Sequence, residues 1–450
     1  MTAPTLIFAF GGFTYTDGTA YVKDMRGGGA RGVPMIAWPF QHRHGRDMSL
    51  QPVSGASEAK LQAIPRTTAL ALVVAGYVTF LNMWCTQAIL PVLAKSLHVS
   101  EAATGYTVTA PLLATAAMAP LIGMISDRFG RRIFIRGAAL LLVVPTVLAA
   151  FSPNLGVLIA CRFMQGLLLP FIFTVIIAYI SDEMSPAASM RMVGIYTSGT
   201  ISGGFSGRLV VGLVTSVSDW RAGILAVGLI TLTAALIVAF CLPKERRFKP
   251  TYGLSGALSS FPNHLTNMPL VGTYAVGFGV LFSIVSIFTF INFRLAEPPY
   301  NMGPGDLGAI FVVYLGGVVV SPVIGRLMVT VDRRWLMTGC VGLLLAGMAL
   351  TLARPLYLIC LGLLLFCLGL FPQQTLGTGV IGVVAKGAKS TAVGLYVTIY
   401  YIGGSFGGFF TAFAWHGAGW GGCVAVTSVV QVMMLGLAWT SWRPERLSPH

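Results

Sequence analysis

The chain has 450 residues, of which 55% are hydrophobic and only 10% charged, with a mean hydropathy of +0.80. One soluble core cannot bury that much apolar surface, so a water-soluble globular fold is excluded and the bilayer is the solvent. The formal charge of +15 would suit a nucleic-acid-binding protein, but the 29 Lys and Arg fall singly and in short runs between apolar stretches. That is the pattern of cytoplasmic loops, and no nucleic-acid partner is expected.

Residues 1–66 are rich in Gly and Arg and lack helical periodicity, so they read as a disordered cytoplasmic tail. The apolar run Leu6–Phe10 is too short for a cleavable signal, and the first helix is expected to direct insertion. Met48 lies shortly before that helix, so residues 1–47 read as a start-site artefact. At about 20 apolar residues per span, helices are predicted near 68–93, 103–125, 133–151, 155–180, 192–216 and 221–242. A polar linker, 243–267, follows. A second set is predicted near 269–292, 307–329, 335–353, 355–382, 390–414 and 419–441, before a tail at 443–450. The organisation is therefore all-α: a six-helix bundle over 67–242, the linker, and a second six-helix bundle over 268–442.

With both termini inside, 23 Lys and Arg lie on the cytoplasmic side and only Lys95, Arg221, Arg294 and Arg354 lie opposite, while Arg162 and Arg208 fall within helices. Without the tail the ratio is still 16 to 4, which orients the chain. The halves also repeat in sequence. Val193, Gly194, Tyr196, Gly203, Gly204 and Gly207 match Val393, Gly394, Tyr396, Gly403, Gly404 and Gly407 at an offset of 200. Pro120, Ile122, Gly123, Arg131 and Arg132 match Pro322, Ile324, Gly325, Arg333 and Arg334 at an offset of 202. Such repeats belong to carriers in which two bundles rock about a central site.

At the end of the second helix the chain reads Gly123-Met-Ile-Ser-Asp127-Arg128-Phe-Gly130-Arg131-Arg132. Gly123 admits a neighbouring helix, Gly130 permits a tight turn, Asp127 can face a helix N-terminus and Arg131 can reach an acidic partner. This loop resembles the GxxxDRxGRR loop of the major facilitator superfamily, in the same place. The resemblance covers about 67–442 and implies a twelve-helix secondary transporter whose loop latches the cytoplasmic side, with Asp182 or Glu183 as ionic partner. In the second half Val329 and Thr330 replace the Asp-Arg pair, so the latch is expected to be one-sided.

In the fourth helix Arg162-Phe-Met-Gln165-Gly166 resembles the family's RxxQG segment. Arg162 lies about 10 Å along the helix from its outer end, a depth that requires a polar cavity or partner. The resemblance implies a part in proton coupling, with Gln165, Asp127, Arg131 and Glu183. The residues alone equally allow a structural hydrogen bond to nearby backbone. Gly199, Gly203, Gly204 and Gly207 in the fifth helix clear a groove for close contact. They resemble the family's antiporter segment without its Gly-Pro step. Ser218-Asp-Trp220-Arg221 resembles the outer turn before the sixth helix, with the indole as an interface anchor.

Substrate-binding candidates are Asn82, Trp84, Gln87, Phe288, Asn292, Gln373, Gln374, Tyr396 and Tyr400, because amides within hydrocarbon need partners that a polar cavity supplies. None of the 14 acidic residues falls deep in a predicted span. Coupling therefore runs through Arg162 and cytoplasmic carboxylates, or the substrate is neutral or anionic, or transport is uncoupled. The seven cysteines lie in apolar stretches without CxxC spacing, and neither a nucleotide loop nor a metal-ligand cluster is present, so no cofactor or metal is expected. GGxxGR, the Trp-Arg turn and the NFRL segment (Asn292–Leu295) resemble bacterial drug-efflux-type carriers. This implies a monomeric inner-membrane exporter of small toxic compounds, driven by the proton gradient and surrounded by lipid. The alternatives are a proton-linked uptake carrier for a metabolite and, from another class, a transporter-like sensor or a membrane enzyme.

Overall fold

The computed structural model describes residues 13–16, 19–22, 65–245, 264–328, 330–384 and 389–443. The chain divides into two units, Met1–Ala59 and Lys60–His450. In the first, β1 (Phe13–Thr16) and β2 (Thr19–Val22) pair as an antiparallel hairpin with Phe13 opposite Val22. These eight residues thus carry order that the sequence reading of a structureless tail does not include. The linker residues 246–263 and the tail 444–450 lie outside the described residues.

The second unit is helical. Its first half holds α1 (Arg66–Trp84), α2 (Leu90–Leu97), α3 (Glu101–Phe129), α4 (Arg131–Ala150), α5 (Leu155–Leu168), α6 (Pro170–Glu183), α7 (Pro186–Val217) and α8 (Trp220–Cys241). The second half holds α9 (Met268–Ala296), α10 (Pro304–Ala309), α11 (Tyr314–Leu327), α12 (Arg333–Leu350), α13 (Leu356–Val384) and α14 (Lys389–Ser441).

Nine of these rods, among the described residues, are long and apolar enough to cross a bilayer. The last is two rods, because Ala418 and Gly419 leave helical geometry, Gly419 at φ 57°. The 304–327 rod, broken by a 3-10 turn, and α12 complete twelve. Their bounds follow the hydropathy reading to within a few residues.

Helix starts are set by caps. Ser100, Asn154, Asp219 and Asn267 each accept a backbone N–H three residues on. Prolines break the rods in a way that matters for packing. A proline lacks the N–H that would bond the carbonyl four residues earlier, so that carbonyl is left free. Pro91, Pro111 and Pro170 free the carbonyls of Gln87, Thr107 and Gly166. Each is taken by a side chain from another rod: Asn292 Nδ2 at 2.8 Å, Arg162 Nε at 3.0 Å and Thr115 Oγ1 at 3.0 Å. The breaks in the first and fourth rods thereby become joints.

The sequence repeat is a structural repeat. A Cβ on Gly203 would stand 2.0 Å from the Tyr77 carbonyl oxygen, and one on Gly403 would stand 2.2 Å from that of Phe278. Gly207 meets Leu81, and Gly407 meets Phe282, in the same way. Tyr196 packs on Gly76 as Tyr396 packs on Gly277. The glycine stripe therefore sets α7 against α1 and α14 against α9, with backbone touching backbone. Leu141, Val144, Leu148, Leu229 and Phe240 point outward, as lipid-facing positions do. Trp220 does not, contrary to its expected role as an interface anchor. It is 2% exposed and donates from Nε1 to Ser96 Oγ at 2.9 Å, which ties α8 to the end of α2.

Candidate functional site

Between the halves lies a cavity of about 650 Å³. It is lined from the first half by Phe80, Trp84, Thr197, Thr200, Ile201, Gly204, Phe205 and Arg208. The second half contributes Leu281, Ile284, Tyr314, Gly325, Phe371, Gln374, Thr375, Thr378 and Tyr400. That volume suits a drug-sized molecule. The Tyr314 to Gly325 stretch of α11 runs about 16 Å at 1.5 Å per residue, so the cavity reaches toward the end of the bundle that carries Arg333.

The opposite end is sealed. Gln87 Nε2 donates to Thr289 Oγ1 at 3.3 Å, Asn292 Nδ2 to the Gln87 carbonyl at 2.8 Å, and Trp415 Nε1 to Glu101 Oε2 at 2.6 Å. Glycines allow close approach there as well, since a Cβ on Gly308 would lie 2.8 Å from the Arg208 carbonyl and one on Gly408 would lie 2.2 Å from Thr109 Oγ1.

Of the nine substrate-binding candidates, Trp84, Gln374 and Tyr400 border the cavity. Asn82, Gln87, Phe288, Asn292, Gln373 and Tyr396 are buried in the walls and do not line it. The reason is that the protein itself satisfies most of the amides. Asn82 bonds Thr231 and Thr146, while Gln87 and Asn292 bond each other's surroundings across the seam. Phe288 belongs to an aromatic cluster with Phe311, Tyr314 and Phe366. Tyr396 is held on Gly277 with its hydroxyl unpartnered, and Gln373 is buried with neither amide atom bonded.

Among the described residues two arginines are buried, each 1% exposed, and they differ. Every guanidinium nitrogen of Arg162 is hydrogen-bonded. Nε donates to Thr107 O, Nη1 to Asn82 O at 2.6 Å and to Gln165 Oε1, and Nη2 to Met83 O at 2.6 Å. Those carbonyls are the one freed by Pro111 and two from the last turn of α1, so the guanidinium caps a broken helix. Gln165 Nε2 continues to Thr146 at 2.8 Å. Arg162 and Gln165 do not line the cavity.

Arg208 does line it, and the sequence pattern assigned it no role. Its Nε donates to Gln87 Oε1 at 2.8 Å and its Nη1 to Gly204 O at 2.7 Å, but Nη2 has no partner. The guanidinium carbon stands 4.7, 4.4 and 4.9 Å from the rings of Trp84, Phe311 and Tyr314. An arginine at mid-span costs about 3 kcal/mol on insertion scales. Three ring faces at about 0.5–2 kcal/mol each offset that in a desolvated site. A signal was available: a charge sits in a span where the repeat places Gly408.

At the end toward which the cavity extends, Gly130 has φ 96°, a conformation that favours glycine, and a Cβ there would stand 2.5 Å from Glu245 Oε1. Arg131 Nε pairs with Asp182 Oδ2 at 2.6 Å. Arg132 donates its backbone N–H to Glu245 Oε2 at 3.0 Å, so a carboxylate sits at the N-terminus of α4. Asp182 is thus the acid on Arg131 Nε. The Asp127 and Arg128 side chains and the surroundings of Gly123 lie outside the described residues. In the second half Asp332 Oδ2 accepts from Arg334 at 3.0 Å, within one turn. Among the described residues no group of His, Cys, Asp and Glu is arranged to hold a metal.

Residues 72–408 match the family model described as Major Facilitator Superfamily. The chain is 31% identical over 367 residues to the inner membrane transport protein YnfM of Escherichia coli (strain K12), covering 81% of this chain and 88% of that one. It is 28% identical over 377 residues to the MFS-type transporter YybF of Bacillus subtilis (strain 168), covering 84% and 93%. Among solved structures, it superposes on a bacterial homolog of the human lysosomal transporter Spinster, in an inward-facing and occupied conformation, with a TM-score of 0.70. That match has 16% identity and covers 85% of this chain and 98% of the other. Hydropathy, internal repeat, fold and relatives agree: the chain is a multi-pass membrane transporter, not an enzyme, and it belongs to the major facilitator superfamily.

Proposed function

We propose that the protein exports a small amphipathic, drug-like or toxic molecule across the inner membrane by alternating access, with the proton gradient as its drive. The observation that carries this is the 650 Å³ cavity between the halves, sealed at one end by the Gln87, Asn292 and Trp415 hydrogen bonds. Parting that seam while closing the other end would carry the contents across. The first half is suited to move as a unit, since Arg162, Asn82, Gln165, Thr146 and Thr231 bind its rods together. The aromatic and aliphatic lining favours an amphipathic cargo.

The inner membrane is supported by the relative named for it, and cytoplasmic termini by the distribution of Lys and Arg. With that orientation the cavity opens inward. Export is supported by the likeness of Gly203–Arg208 and Trp220–Arg221 to efflux-type carriers. Proton exchange is assigned to the carboxylates of the 123–132 latch region. The Arg131–Asp182 ion pair lies in this region, and Asp127 and Glu183 belong to the same set.

The test is a compound-resistance screen in cells with and without the protein, followed by flux of a responding compound in inverted vesicles. Expressing cells should accumulate less compound, and an uncoupler should erase the difference. Greater accumulation in expressing cells would overturn export, and indifference to the uncoupler would overturn proton drive.

A further inference from the structure

The two buried arginines separate structural work from ligand work. Arg162 spends its donors on backbone carbonyls and Gln165, away from the cavity. Arg208 borders the cavity with one nitrogen, Nη2, buried and unbonded, and the hydroxyl of Tyr314, another lining residue, is also buried without a partner. Among the described residues no carboxylate pairs with Arg208. Its surroundings are two neutral oxygens and three ring faces. The repeat does not demand an arginine here, because it places Gly408, packed against Thr109 and Val285, at the equivalent position. An uncompensated guanidinium beside an aromatic cavity is complementary to a negative group on a flat apolar body.

We propose that Arg208 is an anion-binding subsite of the cavity, and that the cargo is an organic monoanion: a carboxylate or sulfonate carried on an aromatic or aliphatic frame. This rests on the transporter reading above and names its substrate class. The anionic group takes the free Nη2 and the Tyr314 hydroxyl, and the apolar body lies against Phe80, Phe205 and Phe371. Arg208 Nε is fixed by Gln87, whose other amide atom reaches across the seam to Thr289. A ligand drawing on Arg208 therefore acts one hydrogen bond from the contacts that must part. Export of an anion also runs with an inside-negative membrane potential, so the cavity itself needs no carboxylate to carry a compensating charge.

The test uses the full chain purified in detergent and three probes of matched shape: 2-naphthoate, its neutral amide 2-naphthamide, and the cation 2-naphthylmethylammonium. Binding of each is measured by equilibrium dialysis to wild type, Arg208→Lys and Arg208→Gln. Wild type should prefer the carboxylate by at least about tenfold over the amide. Arg208→Lys should keep a preference, and Arg208→Gln should lose it. Equal binding of acid and amide by wild type, no binding of the acid at about 1 mM, or a preference intact in Arg208→Gln would overturn the proposal. The wild-type comparison does not depend on either variant folding.

Flux of 2-naphthoate in liposomes separates this inference from the transporter reading. Binding with an Arg208-dependent preference but no flux would sink transport and keep the anion site. Flux of the amide or cation that exceeds flux of the acid would sink the anion site and keep transport.

Discussion

Replacing Arg162 with Ala tests whether this arginine is a fastener of the first half. Truncation removes hydrogen bonds to the carbonyls of Thr107, Asn82 and Met83 and to Gln165 Oε1, leaving four buried oxygens short of a donor. The charge sits in hydrocarbon in the separated helix as well as in the assembled bundle, so its burial largely cancels and the hydrogen bonds decide. Side-chain bonds in membrane proteins average about 0.6 kcal/mol, and bonds to charged groups in general run higher. Four of them give about 2–4 kcal/mol.

Arg162→Ala should therefore lower the thermal transition of the purified protein by several degrees. Arg162→Lys should recover little of the loss, because a point charge with three donors cannot span carbonyls on two rods. The assay is the midpoint of heat-induced aggregation, followed by size exclusion, with flux measured beside it. An unchanged midpoint in Arg162→Ala would refute the fastener. If flux then lost its dependence on the pH gradient, Arg162 would instead belong to coupling.

Three further outcomes follow from the geometry. Gly203→Val and Gly403→Val should each cut the yield of folded protein sharply, because their Cβ atoms meet Tyr77 and Phe278 carbonyls at 2.0 and 2.2 Å. Gly194→Ala and Gly394→Ala, which meet nothing within 4 Å, should be neutral or stabilise by up to about 1 kcal/mol through helix propensity. Equal yields for all four would break the packing account. Asn292→Leu removes the cross-seam bond to Gln87 while keeping bulk. At about 0.6–1.7 kcal/mol it should shift the access equilibrium roughly 3- to 17-fold away from the sealed arrangement, read as cysteine accessibility at position 87 or 289.

The Asp332 carboxyl is held below its usual range, first by the hydrogen bond from Arg334. A depressed folded-state pKa adds stability above the unfolded value and loses it as pH falls through the folded one. Asp332→Asn and wild type should thus show parallel stability profiles from pH 5 to 8, and the small gap between them should close below about pH 4, since the pair is partly exposed. A gap that varies between pH 5 and 8 would assign the effect to another group.

How much of this was readable beforehand depends on whether a feature is local. Twelve rods and their bounds follow from runs of apolar residues, because lipid forces each span to satisfy its own backbone. The helix-on-helix contacts of Gly203 and Gly403 were legible through the repeat. The pocket was not. An amide in hydrocarbon needs a partner, which points Asn82, Gln87 and Asn292 to a cavity, but the sequence does not say whether cavity or wall supplies it. Pro91, Pro111 and Pro170 are visible in the chain, and so are the carbonyls they free. That Asn292, Arg162 and Thr115 take them is decided by tertiary packing.

The repeat keeps the packing and alters the chemistry. In the first half Asn82 on α1 donates to Thr231 on α8, and in the second Gln431 on α14 donates to Ser283 on α9, both at 2.8 Å. Offsets of 201 and 200 make these the same pair of positions, with the amide moved from the first rod to the last. No such exchange occurs at Arg208, where the counterpart is Gly408 and the charge has no equivalent. The glycine contacts and this amide bond recur in both halves, whereas the Arg208 charge does not. A charge that occurs once, on the cavity wall and beside the seam, breaks the symmetry where cargo and conformational change meet, which is where binding energy would have to act to favour one access state over the other.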